Sequence, residues 1–410
     1  MKFSVLLPTR NRLELLKYAI ETVIRQDYDD WEIIVSDNCS EEDVEGYIRS
    51  LNDARIKYYR TEKFVPVTEN WNNALDKSTG DYVVMLGDDD CIMKGYFTKI
   101  RCMAEAHNNP DCIYTNALLY AYPGVMPDFP DGFLQPYGYA SFFDSAKEPF
   151  LVAKEKALEM VKQSMNFKML FTYNMQHSVI SRKFIDSLKH KGPFFQSPYP
   201  DFYATNVTFL NAERILVCPE PLVTIGISPK SFGFYYANNR EKEGIDFLKN
   251  QPEPEIFKRL QDIVLPGLTD RTSWLIAMET IRMNYPESGL QVNYDRYRYL
   301  QIVYTYGKYY NDRNLHLDTS ASEARLAELK GLMRKQEKLV YGTFLTLAGN
   351  LSGLIPQGIR KKIVTNIMAA VNKTPQLDLK KSERKYKNIL EVFEDTEPGK
   401  AKEESPNESP

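Results

Sequence analysis

The first ninety or so residues alternate between short apolar runs and amphipathic stretches, and this pattern constrains the fold more than any other feature. "KFSVLLP" has the continuous apolar character of a buried strand, and "RLELLKYAIETVIRQ" places its apolar residues at helical spacing. "WEIIVSDNCS" is a second strand. "SEEDVEGYIRSL" is a second helix, for which Ser40 and an acidic first turn supply the start. "IKYYRT", "VTENWNNALDKS" (with Thr68 as its cap) and "DYVVML" continue the alternation. Strand and helix in turn predict an α/β, Rossmann-like, doubly wound and mainly parallel sheet. Such sheets bind ligands beyond the carboxyl ends of their strands. Those ends carry "PTRNR", "SDNCS" and "GDDDC", so polar residues gather along one edge.

The last of these poses a physical problem. Asp88, Asp89 and Asp90 follow a buried strand directly. Adjacent carboxylates repel one another, and burying them is costly unless a cation or hydrogen-bond donors hold them. The cluster therefore points to a bound cation in preference to a solvated turn.

Composition removes other classes. A net charge of -3 gives no support for nucleic-acid binding. The five cysteines (Cys39, Cys91, Cys102, Cys112 and Cys218) form no CxxC pair, which argues against a disulfide framework or a zinc site and for a reducing, cytoplasmic setting. The apolar run before Pro8 is short and reads as a first strand instead of a leader. No run of about 18 or more apolar residues predicts a membrane span.

Further along come a helix from Lys99, a strand in "DCIYTNALLY" and a Pro/Gly/Tyr-rich stretch from Ala121 that reads as a loop. A helix near Lys154–Ser164 and another beginning near Asp201 follow, then short strands in "RILVCPEPLVTIGISP". The expected organisation is a sheet domain over residues 1–235, a helical region over 236–393 and a disordered acidic tail over 394–410.

The ordered set "SVLLPTRNR", "IIVSDNCS", "ENWNNAL", "GDYVVMLGDDD" and "PDFYA" resembles the family 2 glycosyltransferases, enzymes of the GT-A fold. The resemblance implies transfer of a sugar, with inversion, from a nucleotide diphosphate donor. UDP is the favoured nucleotide and Mn2+ or Mg2+ the cofactor. It implies that Pro8, Thr9 and Arg10 line the nucleotide pocket, with Arg10 pairing with diphosphate through its planar fork or else standing as a surface arginine near a strand end. Asp37 would read uracil, or else cap the following helix. Asp88 would meet the ribose and metal, Asp90 the metal, and Asp89 either. This chain reads Gly87-Asp88-Asp89-Asp90 where many members read Asp-x-Asp-Asp. Asn70 and Asn73 share a helix face and would support the donor pocket or pack the helix. Asp201 would be the catalytic base, a helix cap, or both. The loop "SPKSFGFYYANN" lacks the histidine that often completes the family's metal shell, which leaves Ser228, Lys230 and Ser231 as candidate contacts. His177 reads as a structural histidine first and a substrate contact second.

The stretch over residues 331–373 is apolar in its middle and carries Lys335, Lys338, Arg360, Lys361 and Lys362 against one acid, Glu337. Gly342, Gly349, Gly353 and Pro356 are expected to break it. It would lie on an anionic membrane surface, pack on the sheet domain, or form a homodimer contact. The acceptor would be a carbohydrate or glycolipid. A catalytically inactive scaffold of a polysaccharide-assembly complex is the alternative from another class.

Overall fold

The computed structural model describes residues 1–137, 146–231, 234, 254–353 and 384–395. Its centre is a ten-stranded sheet. The strands are β1 (Phe3–Thr9), β2 (Trp31–Asp37), β3 (Ile56–Arg60), β4 (Tyr82–Met85), β5 (Cys91–Ile92), β6 (Cys112–Ala121), β7 (Phe133–Pro136), β8 (Phe150–Val152), β9 (Ser178–Ser181) and β10 (Ile215–Ile227). They lie in the order β3-β2-β1-β4-β9-β6-β10-β5, with β7 beside β6 and β8 beside β10. The longer ladders are parallel: β3, β2, β1 and β4 run together, and β6 runs with β10. β9 is antiparallel to both its neighbours and joins the two parallel groups. This is the doubly wound arrangement expected from the alternation, with a more mixed sheet than expected.

Period-two burial explains why the sheet is covered on both faces. Phe3, Val5 and Leu7 point to one side, where they meet α1 (Leu13–Ile24) through Leu16, Ile20 and Val23 and α4 (Tyr96–Ala106) through Phe97 and Ile100. Leu6, Ile34, Val83 and Met85 point to the other, against α3 (Val67–Asp76), α5 (Lys154–Met165) and α7 (Pro200–Asn211). α2 (Val44–Ser50) follows β2, and α6 (Arg182–Ser187) follows β9.

Beyond the sheet come α8 (Pro254–Leu260), α9 (Thr269–Asn284), α10 (Tyr294–Asn314) and α11 (Ser320–Leu332). α12 (Lys335–Glu337) then runs through a wide turn at Lys338–Gly342 into α13 (Thr343–Ser352). The helical region shares the sheet's second core. Trp274 of α9 is fully buried, donates from its indole to the Ser164 carbonyl at 2.9 Å, and packs on Tyr173 and Phe202.

Several local readings differ from expectation. "RILVCPEPLVTIGI" forms one long strand, with register shifts around Pro221 where the ladder must skip a missing amide proton. The stretch after Ala121 includes β7. Thr68 does not cap α3: its hydroxyl donates to the Ser197 carbonyl instead, at 2.6 Å. α2 is capped by Asp43, which accepts from the Gly46 amide at 2.8 Å, while Ser40 accepts from the Asn11 amide. Gly342 and Gly349 do not interrupt the helical run from Lys335 to Ser352. Residues 394 and 395, expected in the tail, close α14 (Ile389–Asp395), whose Ile389, Val392 and Phe393 are buried in a core with Cys91, Met93 and Tyr120. Arg360, Lys361, Lys362, Pro356 and the rest of the expected tail lie outside the described residues. Among the described residues, no helix is long and apolar enough to cross a membrane.

Candidate active site

A cleft of about 360 Å³ opens at the carboxyl ends of β1, β4 and β10. It collects Pro8, Thr9, Arg10 and Arg12 from the end of β1, Asn70 and Trp71 from α3, Asp88, Asp89 and Asp90 from the turn after β4, and Asp201 from α7. The sheet thus brings most of the expected residues to one place. Asp37 and Asn73 are not among those that line it.

The three aspartates are buried and have separate roles. Asp88 accepts from the Thr9 hydroxyl at 2.8 Å and from Arg12 Nη1 at 2.7 Å, so both its oxygens are engaged. Asp90 accepts from the Gly226 amide at 2.7 Å, the Gly87 amide at 2.9 Å and Gln176 Nε2 at 2.6 Å, which ties the turn to β10. That contact requires a glycine, because a Cβ at position 226 would sit 1.9 Å from the Asp89 carbonyl oxygen. Asp89 is different. Its Oδ2 is buried with no hydrogen-bond partner, and its Oδ1 lies 3.8 Å from Arg12 Nη1.

Burial pushes the Asp88 carboxyl up to about 6, although Arg12 opposes it. Burial and the neighbouring Asp89 push Asp90 up to about 8. The site is short of positive charge. Among the described residues no group of three or more His, Cys, Asp and Glu side chains is placed to hold a metal ion. A hard divalent cation here would therefore lean on one or two carboxylates plus oxygens of the substrate, as Mg2+ commonly does. Of the six carboxylate oxygens, Asp89 Oδ2 is buried without a partner, whereas both oxygens of Asp88 and of Asp90, the expected metal residues, accept hydrogen bonds from the protein.

The end of β2 also differs from expectation. The Asp37 carboxylate is fully buried and accepts from the Tyr58 hydroxyl at 2.7 Å, Arg60 Nη1 at 3.1 Å and the Ser40 amide at 2.9 Å. Its neighbour Asn38 lines the cleft and pairs its side-chain amide with both the N–H and the C=O of Val65, each at 2.9 Å. That pairing holds the loop that presents Phe64, over whose ring the Arg10 guanidinium lies at 3.9 Å. Asn70 and Asn73 both bind Ser36: Asn70 accepts from its hydroxyl at 2.7 Å, and Asn73 donates to that hydroxyl at 2.9 Å. They clamp α3 to β2.

Asp201 lies in the first turn of α7, behind Pro200, a residue pre-set for a helix start. It accepts from the Phe202 amide at 2.9 Å. Burial pushes its carboxyl up to about 7, helped by the nearby acid Asp270 of α9. A carboxyl poised there can accept a proton at neutral pH. The other candidates have structural ties. His177 Nδ1 lies 2.8 Å from the Thr115 carbonyl, its ring stacks on Tyr114, and burial pulls its pKa down to about 4. The Ser228 amide donates to Ser231 Oγ at 3.1 Å, closing a turn, and the Lys230 ammonium donates to the Asn11 carbonyl. The Lys230 carbonyl in turn accepts from Arg12 Nη2 at 2.5 Å. Sequence reasoning missed Asn38, Phe64, Trp71 and Gln176, which reach the cleft through contacts remote along the chain.

Residues 4–122 match the model of glycosyl transferase family 2. The chain is 33% identical over 156 residues to the GalNAc(5)-diNAcBac-PP-undecaprenol beta-1,3-glucosyltransferase of Campylobacter jejuni, covering 37% of this chain and 48% of that protein. It is 28% identical over 87 residues to the UDP-Glc:alpha-D-GlcNAc-diphosphoundecaprenol beta-1,3-glucosyltransferase WfgD of Escherichia coli, covering 21% and 34%. The chain therefore spans half or less of the length of these curated relatives. Among solved structures, TarS 1-349 of S. aureus aligns with 83% of this chain and 92% of its own, at 16% identity and a TM-score of 0.44. Four of the five ordered motifs, all but "PDFYA", lie within residues 4–122, the part of the chain that matches glycosyl transferase family 2.

Proposed function

We propose that the chain transfers a sugar, with inversion, from a UDP-sugar to a hydroxyl of a lipid-linked glycan in surface polysaccharide or glycolipid synthesis, at the cytoplasmic face of a membrane. The observation that carries this is one cleft holding a buried acidic turn short of positive charge and, apart from it, a carboxyl poised at about 7. The donor's diphosphate lies near Thr9, Arg10 and Arg12, and the ribose near Asp88. The base meets the end of β2, where Asn38 and Asp37 stand. UDP is supported by the donor named for the E. coli relative, and a diphosphoundecaprenol-linked acceptor by the names of both curated relatives.

Asp89, with its unpartnered Oδ2, is the residue that would hold Mn2+ or Mg2+ beside the donor. Bound there, the cation offsets the charge of the departing diphosphate. Asp201 accepts the proton of the acceptor hydroxyl as its oxygen bonds the anomeric carbon and the bond to the diphosphate oxygen breaks. Burial of Asp201 serves this role, because an ordinary carboxylate would be a far weaker base.

The test is UDP release by the purified chain, with a panel of UDP-sugars and a diphosphoundecaprenol-linked N-acetylhexosamine as acceptor. Acceptor-dependent release with one sugar is expected. Binding of UDP without turnover on any acceptor would favour the scaffold reading, and absence of UDP binding would remove the donor assignment.

A further inference from the structure

The helical run formed by α12, the wide turn and α13 is held to the protein along one side. Arg298 binds Glu337 through two hydrogen bonds of 2.7 and 2.8 Å. Gly349 packs so closely on Tyr310 that a Cβ there would sit 2.3 Å from its ring. Asn350 accepts from Arg313 at 3.0 Å. The other side carries Leu339 (74% exposed), Val340 (59%), Phe344 (67%), Leu347 (59%) and Leu351 (53%). Their spacing gathers them into one stripe along the helix, roughly 18 Å long by the rise per residue. Single exposed apolar residues are ordinary, whereas a row of five large ones marks an interaction surface.

Charge decides what covers it. Lys335 and Lys338 are exposed at the start of the stripe; Glu337, between them in sequence, is turned inward onto Arg298, and the exposed Asp295 is paired with Arg334 at 2.9 Å. From Lys338 to Leu377 the sequence contains no aspartate or glutamate, while Lys338, Arg360, Lys361, Lys362 and Lys373 occur. The chain as a whole has 55 acidic residues against 52 basic ones, so this acid-free stretch is local to the stripe and its continuation. A second copy docking stripe to stripe would cover the apolar row but bring no acid from residues 338–377 to meet the lysines. An anionic bilayer meets both features, since its headgroups attract the lysines and its acyl boundary takes the apolar row.

We propose that the Leu339–Leu351 face is the surface by which the protein lies on an anionic membrane. This does not depend on the donor or acceptor assignment, and vesicle binding is measured without turnover, so either can fail alone.

The test is flotation of the full chain with phosphatidylcholine vesicles, with and without about 30% phosphatidylglycerol. The native chain is expected to float with the anionic vesicles only, and raised salt should release it. Phe344→Ser combined with Leu347→Ser should lower the bound fraction at least about tenfold. Lys335→Gln combined with Lys338→Gln should lower it severalfold. Should the serine variant prove unfolded by its melting curve, Leu347→Trp serves instead, and quenching of its added fluorescence by brominated phosphatidylglycerol is expected. No flotation, equal flotation with neutral vesicles, or undiminished flotation of the folded serine variant would overturn the proposal. A dimer that the serine variant splits, without vesicle binding, would assign the face to a second copy.

Discussion

Glu32 and the Asp88–Asp90 turn are buried acids at opposite ends of two parallel strands, β2 and β4, that flank β1. At the amino end, Glu32 on β2 is 1% exposed and accepts from Lys2 Nζ at 2.9 Å, Lys57 Nζ at 2.6 Å, Ser4 Oγ at 2.7 Å and the Thr79 amide at 2.6 Å. Burial alone would raise its pKa, but Lys57 and Lys2 hold it well below the usual carboxylate range. At the carboxyl end, after β4, burial and mutual repulsion win: Asp88 and Asp90 are pushed up, and one oxygen of Asp89 has no partner. The first acid is neutralised by the protein itself and holds β1, β2, β3 and the β4 approach together. The second cluster is neutralised only in part, as suits a site completed by a ligand. One sheet therefore stabilises one edge and leaves the other under electrostatic tension, and the position of the missing countercharge locates the site.

The largest effect is expected at Asp201, the half-buried acid that lines the same cleft as the Asp88–Asp90 turn. Asp201→Asn is expected to lower transfer roughly a thousandfold, because the proton acceptor is gone. The same variant should be more stable than the native chain at pH 8, by about 2 kcal/mol after discount for partial exposure. The sign follows from a folded pKa raised above the unfolded one. Between the ordinary carboxylate value and about 7 the folded state keeps a proton that the unfolded state releases, so stability falls as pH rises and the full cost is present above about 7. Urea midpoints at pH 8 and pH 4 should thus show the gain at the higher pH and little at the lower.

Glu32→Ala should act in the opposite sense. Removing one partner of a buried ion-paired cluster is expected to cost about 3 kcal/mol of stability, with UDP affinity of the folded fraction unchanged. A urea titration beside a nucleotide titration separates the two readouts. Smaller again is the pH profile. The rate at saturating substrate should rise about tenfold per pH unit below about 7 and then level off. Asp270→Asn, by removing the neighbouring acid, should move that break to lower pH by less than about one unit. A break that stays in place would remove Asp270 from the electrostatics of the base.

Much of this was legible in the chain, for a specific reason. Val5, Leu7, Ile33, Val35 and Val84 announce buried strands by composition alone, and the end-of-strand rule then selects Thr9, Arg10, Asp88 and Asp89 without knowledge of side-chain contacts. What stayed hidden depends on contacts between remote segments. Asn38 matters through Val65, and Gln176 through Asp90, pairings that no local pattern encodes. Thr68 and Ser40 look like caps, yet tertiary partners at Ser197 and Asn11 claim them. Gly349 looks like a breaker, but close approach to Tyr310 makes it part of a helix. The choice among three consecutive aspartates depends on which oxygens the protein has already used, and that is a property of the folded turn.

Whether the unpartnered oxygen of Asp89 takes a cation carried with a nucleotide diphosphate, as proposed, is read by calorimetric titration of UDP with and without Mn2+. The native chain is expected to bind UDP tightly only when Mn2+ is present. Asp89→Asn should lose that metal dependence, with affinity in Mn2+ reduced about a hundredfold, while its melting temperature does not fall. Metal-dependent binding undiminished in Asp89→Asn, or UDP binding indifferent to Mn2+ in the native chain, would contradict the account.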